Sequence, residues 1–121
     1  MDGTHVTTVS PTIERRQLLE AELARYLQLL TGVAALERVI LFGSLVSGQI
    51  HSGSDIDLVI IQQTSLPFWK RLREMRRLLQ PSVGTDLIIY TPQEFEQLRQ
   101  QRSFVREAIL SKGRVIYERG R

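Results

Sequence analysis

The sequence predicts an α/β (α+β) domain: a mixed sheet of three to four strands covered by helices. Two patterns carry this expectation. Arg38–Gly43 and Asp55–Ile61 are short runs that read as apolar on both faces, the mark of strands buried from both sides, and Val83–Tyr90 is a third strand with one acid. Around them lie longer segments whose apolar residues recur at helical spacing and whose remaining face is charged. The 121 residues suit one compact unit. The expected division is a loose arm over 1–10 and a single domain over 11–121.

In chain order, Ser10-Pro11 is a helix start, with Ser as N-cap and Pro at the first helical position. Leu19, Leu23, Leu27 and Leu30 then form a helical core stripe, and Gly32 is the expected C-cap. The strand Arg38–Gly43 follows, then a short helical turn over Ser44–Gly48 and a loop over Gln49–Ser54 that flexes at Gly53. Asp55–Ile61 is the second strand. So short a connection makes the first two strands antiparallel neighbours. Ser65–Gln80 reads as an amphipathic helix with Phe68, Leu72, Met75 and Leu79 inward and Lys70, Arg71, Arg73, Arg76 and Arg77 outward. Trp69 is expected on the rim of the core, and Pro81 stops the helix. Val83–Tyr90 is the third strand. Thr91-Pro92-Gln93-Glu94 is a capping box opening a helix with Phe95 and Leu98 inward. A last helix over Ser103–Lys112, with Phe104, Ala108 and Ile109 or Leu110 apolar, ends at Gly113, and Val115–Glu118 is a short edge strand.

The chemistry concentrates in Leu41–Ile61. An apolar run ends in Gly43-Ser44, and two aspartates, Asp55 and Asp57, open the next. Residues two apart on a strand share a face, so the two carboxylates project together from the edge of an apolar sheet. Like charges placed so repel and lose hydration, and a hard divalent cation with oxygen ligands relieves both. Gly43 permits close approach of a ligand to the backbone. Ser44 adds a hydroxyl and an N–H at the start of a helical turn, a setting that attracts phosphate. Asp86, an acid inside the third strand, reaches the same cluster if that strand lies beside the second. Three carboxylates and a nucleotide then suffice for two Mg²⁺, with Asp86 also placed to accept the proton of an attacking hydroxyl.

Composition narrows the classes. There are no cysteines, which excludes disulfides and thiolate metal sites and fits a reducing cytoplasmic setting. No apolar run approaches the ~18 residues of a membrane span, and the N-terminus has no secretory pattern. Lys and Arg number 16 against 13 Asp and Glu, which favours an anionic ligand or partner. The basic helix has no interleaved aromatics suited to stacking bases, which argues against direct nucleic-acid binding. His51 reads as an exposed loop residue, and Tyr90 and Tyr117 as packing residues.

Gly43-Ser44, ten residues and then Asp55-Ile56-Asp57 resembles the signature of the nucleotidyltransferase superfamily that includes DNA polymerase beta. The wider context, FGS…SGSDIDLVI followed by VGTDLIIYTP and the ending FVREAILSKGRVIYE, is similar to the minimal nucleotidyltransferase (MNT) proteins. The resemblance implies a polymerase beta-like fold, phosphate contacts from Gly43 and Ser44, and Mg²⁺ held by Asp55, Asp57 and Asp86. MNT proteins of this length are typically antitoxins paired with a HEPN-domain ribonuclease toxin. The resemblance therefore implies transfer of AMP from ATP to a toxin tyrosine, with release of pyrophosphate. The alternatives are a non-catalytic antitoxin that masks its toxin, and a stand-alone transferase acting on a small molecule. One departure stands out: many relatives carry arginines just after Gly-Ser, where this chain has Leu45, Val46 and Ser47. The candidates to replace that charge are Arg38 and the basic helix.

Overall fold

The computed structural model describes residues 10–103, 106–107 and 111–120. Its elements run α1 (Pro11–Leu30), β1 (Leu36–Phe42), α2 (Ser44–Ser47), β2 (Ile56–Gln62), α3 (Phe68–Leu79), β3 (Thr85–Tyr90), α4 (Pro92–Gln101) and β4 (Arg114–Glu118). The strands form one mixed sheet in the order β3-β2-β1-β4. β1 is antiparallel to both β2 and β4, whereas β2 and β3 are parallel. The antiparallel β1–β2 pair and the edge position of the last strand are as the sequence predicts.

Alternation along the strands divides the core between two layers. Val39, Leu41, Leu58, Ile60, Leu87 and Ile89 pack with Leu19, Tyr26 and Leu30 of α1 and Met75 and Leu79 of α3. Ile40, Val59 and Ile61 pack on the other side with Phe95 of α4. Both faces of β1 and β2 are therefore largely covered, which is why these two strands lack a polar alternation, whereas β3 alternates between buried and more exposed residues.

The helix caps follow the sequence closely. Ser10 Oγ accepts from Ile13 N–H, with Pro11 in the first turn. Thr91 and Glu94 form the reciprocal capping box of α4. α1 ends one residue earlier than expected, on Thr31. α3 starts at Phe68 instead of Ser65 and closes on Gln80 in the left-handed region (φ 44°) before Pro81. β3 starts at Thr85 instead of Val83. Apart from Ser10, the arm lies outside the described residues, as do Phe104, Ala108, Ile109 and Leu110 of the expected last helix.

Two buried charged residues overturn the expected helix faces. The stripe of α1 is Leu19, Glu22, Tyr26 and Leu30, while Leu23 and Leu27 are only partly buried. Glu22 is buried because it has work there: it accepts from Arg25 at 2.9 and 2.8 Å and from Ser82 N–H at 2.7 Å, fastening α1 to the loop before β3. On α3, Phe68 and Trp69 are exposed, at 52% and 62%, and Arg71 is buried in their place. Trp69 stacks against Arg73 on the surface, 5.5 Å from guanidinium carbon to ring centre. Arg71 pairs with Glu94 and donates to the carbonyls of Leu66 (2.8 Å) and Ile89 (3.3 Å).

The Arg25 guanidinium holds the Glu22 carboxyl down to about 2, against a desolvation that pushes it up. A depressed carboxylate stabilises the fold above its ordinary pKa and loses that contribution as pH falls through the folded value. We expect Glu22→Gln to lower stability by about 1–2 kcal/mol at neutral pH, the worth of a charged hydrogen bond partly replaced. Urea melts should show the difference shrinking as pH falls from about 4.5 to 2. A constant difference across that range contradicts this account.

Candidate active site at the carboxylate edge of the sheet

The topology brings the motif residues to one edge. Phe42 at the end of β1 pairs with Asp57, the second residue of β2. The parallel register sets Asp57 beside Asp86, the second residue of β3. Asp86 is close enough to Asp57 to push its carboxyl pKa up. Asp55 stands just before β2, not within it as the sequence suggested. It is close enough to Asp57 to act on its charge.

Gly43 is shaped by this cluster. Its φ is +79°, and a Cβ there would lie 2.1 Å from Asp57 Oδ2. Only glycine combines that backbone conformation with a carboxylate packed on its α-carbon. Gly84 does the same for Asp55: a Cβ on it would meet Asp55 Oδ1 at 2.2 Å. Ser44 opens α2, four residues long, which Gly48 closes in the left-handed region.

The loop before Asp55 is pinned rather than slack. His51 Nδ1 accepts from Gly53 N–H, Ser54 Oγ accepts from His51 N–H, and the buried Ser54 carbonyl accepts from Arg15 Nε at 2.8 Å. His51 thus shapes the loop. Arg15 Nη2 also lies 3.7 Å from Asp55 Oδ1, across a carboxylate that is 43% exposed.

Among the described residues, no three acidic or imidazole side chains converge closely enough to hold a metal ion as they stand. Asp57 leans on Asp86, while Asp55 leans on Gly84 and Arg15. The donor set still suits a hard cation. It consists of carboxylate oxygens, and burial together with Asp86 and Asp55 pushes the Asp57 carboxyl up to about 6. The 3.7 Å Arg15 contact is a weak hold on a half-exposed Asp55.

The sign of the Asp57 shift gives a test. A carboxyl whose folded pKa is raised favours folding when protonated and disfavours it when charged. We expect the Asp57 contribution in chelator-treated protein to fall away as pH rises from about 4 to about 6. Melting curves of wild type and Asp57→Asn should converge at pH 4 and separate above pH 6. Parallel profiles would sink the assignment.

A cavity of about 590 Å³ opens beside the cluster, lined by Phe42, Gly43, Ser44, Val46, Ser47, Gln49 and Lys112. Sequence reasoning overlooked Lys112, Arg15 and Gly84. Gly84 carried a signal, since a glycine just before a strand marks close backbone approach. The expected substitute Arg38 instead pairs with Glu118 at 3.3 Å. Leu45 and Val46, just after Gly43-Ser44, pack in and against the core.

The model of the family "Polymerase beta, Nucleotidyltransferase" matches residues 21–121. Among solved structures, a Sulfolobus solfataricus chain assigned as a nucleotidyltransferase superposes with a TM-score of 0.65 at 16% identity, covering 94% of this chain and 93% of that one. A chain of a toxin–antitoxin structure with AMP-PNP gives 0.53 at 21%, covering 80% and 73%. An aspartate-to-glutamate double mutant of the MntA-HpeT toxin–antitoxin gives 0.52 at 19%, with the same coverage. At these identities the likeness is one of fold, and it bears out the predicted architecture. No curated protein matches the sequence.

Proposed function

This chain belongs to the polymerase beta nucleotidyltransferase family, and from that membership we propose that it transfers AMP from ATP, with Mg²⁺, to a tyrosine hydroxyl of a cognate HEPN-domain ribonuclease toxin and so acts as its antitoxin. The observation that carries the reading is the Asp57–Asp86 pair in register, packed against Gly43 with Asp55 at its flank. Like charges gathered this closely are costly without a cation to share. The fold is also that of chains in toxin–antitoxin structures, one of them with AMP-PNP.

In this reading Asp55, Asp57 and Asp86 would hold two Mg²⁺ and Gly43-Ser44 would lie along the phosphates. The ions would neutralise the triphosphate and stabilise the departing pyrophosphate. Asp86 accepts the tyrosine proton as the phenolic oxygen bonds to the α-phosphorus and the α–β phosphoanhydride bond breaks. The partner protein supplies the acceptor.

The test combines the purified chain, labelled ATP, Mg²⁺ and the product of the neighbouring reading frame. Label should appear on the neighbour with wild type and vanish with Asp55→Ala and Asp57→Ala. Failure of wild type to label, or labelling by both variants, ends this reading. One observation favours a second, a non-catalytic antitoxin: the three residues after Gly43-Ser44 are uncharged and Leu45 is buried, so no cation follows the motif directly. That reading expects growth rescue to survive loss of Asp55 and Asp57.

A further inference from the structure

We infer that Lys112 is the cation that grips the nucleotide phosphates in this chain, standing in from the far end of the sequence for the arginines missing after Ser44. The inference rests on the nucleotidyltransferase reading and deepens it.

The fold accounts for the placement. β4 runs antiparallel to β1, with Arg114 opposite Leu41. The chain entering β4 therefore passes the end of β1, where Phe42 gives way to Gly43. Lys112, two residues before the strand, lines one cavity with Gly43, Ser44 and Ser47. The Asp57 carboxylate packs on Gly43, at one end of that region, so a metal-bound polyphosphate reaching from it along the cavity would carry its negative charge past this lysine.

Two other cations near the motif, Arg15 and Arg16, are occupied. Arg15 is held by the Ser54 carbonyl and Asp55. Arg16, whose guanidinium comes within 3.9 Å of a Cβ built on Gly48, pairs with Glu20 at 3.6 Å. Among the described residues no acid or carbonyl engages Lys112, and its side chain is exposed. An ammonium on a flexible stem is a compact point charge that adapts to a phosphate chain without the fixed fork of arginine. Leu45 faces the core, so an arginine restored at that position would have to leave it.

The experiment measures equilibrium binding of Mg·ATP, Mg·tripolyphosphate and adenosine to wild type, Lys112→Ala, Lys112→Arg and Lys112→Glu at low salt. Melting curves check that each variant is folded. A single charge-assisted phosphate contact is worth about tenfold in affinity. We expect Lys112→Ala to weaken ATP and tripolyphosphate by about tenfold and Lys112→Glu by more. Lys112→Arg should stay within roughly threefold, and adenosine should be unaffected. Equal ATP affinity in wild type and Lys112→Ala overturns the inference while leaving the enzyme reading intact. So does a loss that is as large for adenosine as for ATP, which would mean a structural role. If wild type binds neither ATP nor tripolyphosphate, the nucleotidyltransferase reading fails and takes this inference with it.

Discussion

Asp57→Asn should lower AMP transfer by about 10³-fold and, in metal-free protein above pH 6, raise the melting temperature. The first effect corresponds to roughly 4 kcal/mol of transition-state stabilisation, a reasonable share for a carboxylate that positions metal. The second comes from the same side chain. Asp57 is desolvated against Gly43 and faces Asp86 and Asp55, so its charge works against folding. An amide keeps the shape, removes the repulsion and can donate to Asp86. A residue whose removal strengthens the empty protein while ending its activity is held for function. Transfer assays and melts on one preparation decide the matter. Unchanged transfer, or a lower melting temperature, would falsify the role given to this carboxylate.

The largest effect on stability is expected at Arg71. Replacement by Met leaves Glu94 without its partner and the Leu66 and Ile89 carbonyls without a donor. Breaking a fully buried ion pair costs about 3–5 kcal/mol. Here Arg71 is 7% exposed but Glu94 is 41% exposed, so solvent recovers part of the loss. About 2–3 kcal/mol remains, a large share of the roughly 5–15 kcal/mol that holds a domain together. The loss should be cooperative across the molecule, since Arg71 ties α3 to the end of β3 and to the capping box of α4. Arg77→Ala, on an exposed pair with Glu74, is the control and should stay within about 0.5 kcal/mol. Chemical denaturation of the two variants separates them, and comparable midpoints would contradict the tether.

Arg71 also shows where reading the sequence reaches its limit. Five cations on one helix look like a solvated face, and helical spacing favours Phe68 as the inward residue. The Leu66 carbonyl is near in sequence, but nothing local reveals that the Glu94 carboxylate and the Ile89 carbonyl wait beneath Arg71, because those groups come from later elements of the chain. Glu22, which the expected leucine stripe of α1 leaves out, was missed for the same reason: its partner Ser82 N–H is remote in sequence. What was legible was local or periodic. The caps at Ser10 and Thr91, the apolar strands, the short β1–β2 connection and the spacing from Gly43 to Asp57 all act within a few residues. The approach of Asp86 was legible as a condition, that β3 lie beside β2, and the register meets it. Lys112 was invisible, because only the antiparallel return of β4 along β1 carries it to Gly43.

The parallel pairing of β2 with β3 has a kinetic consequence. Asp57 and Asp86 meet only after α3 has crossed over and β3 has docked, a contact between distant parts of the chain that forms late and slowly. The nascent chain therefore offers a cation no assembled site, and early folding depends on α1 and the local β1–β2 pair. A ligand of the carboxylates can slow the opening of the finished protein, but it has little to grip while the chain is still searching for its fold.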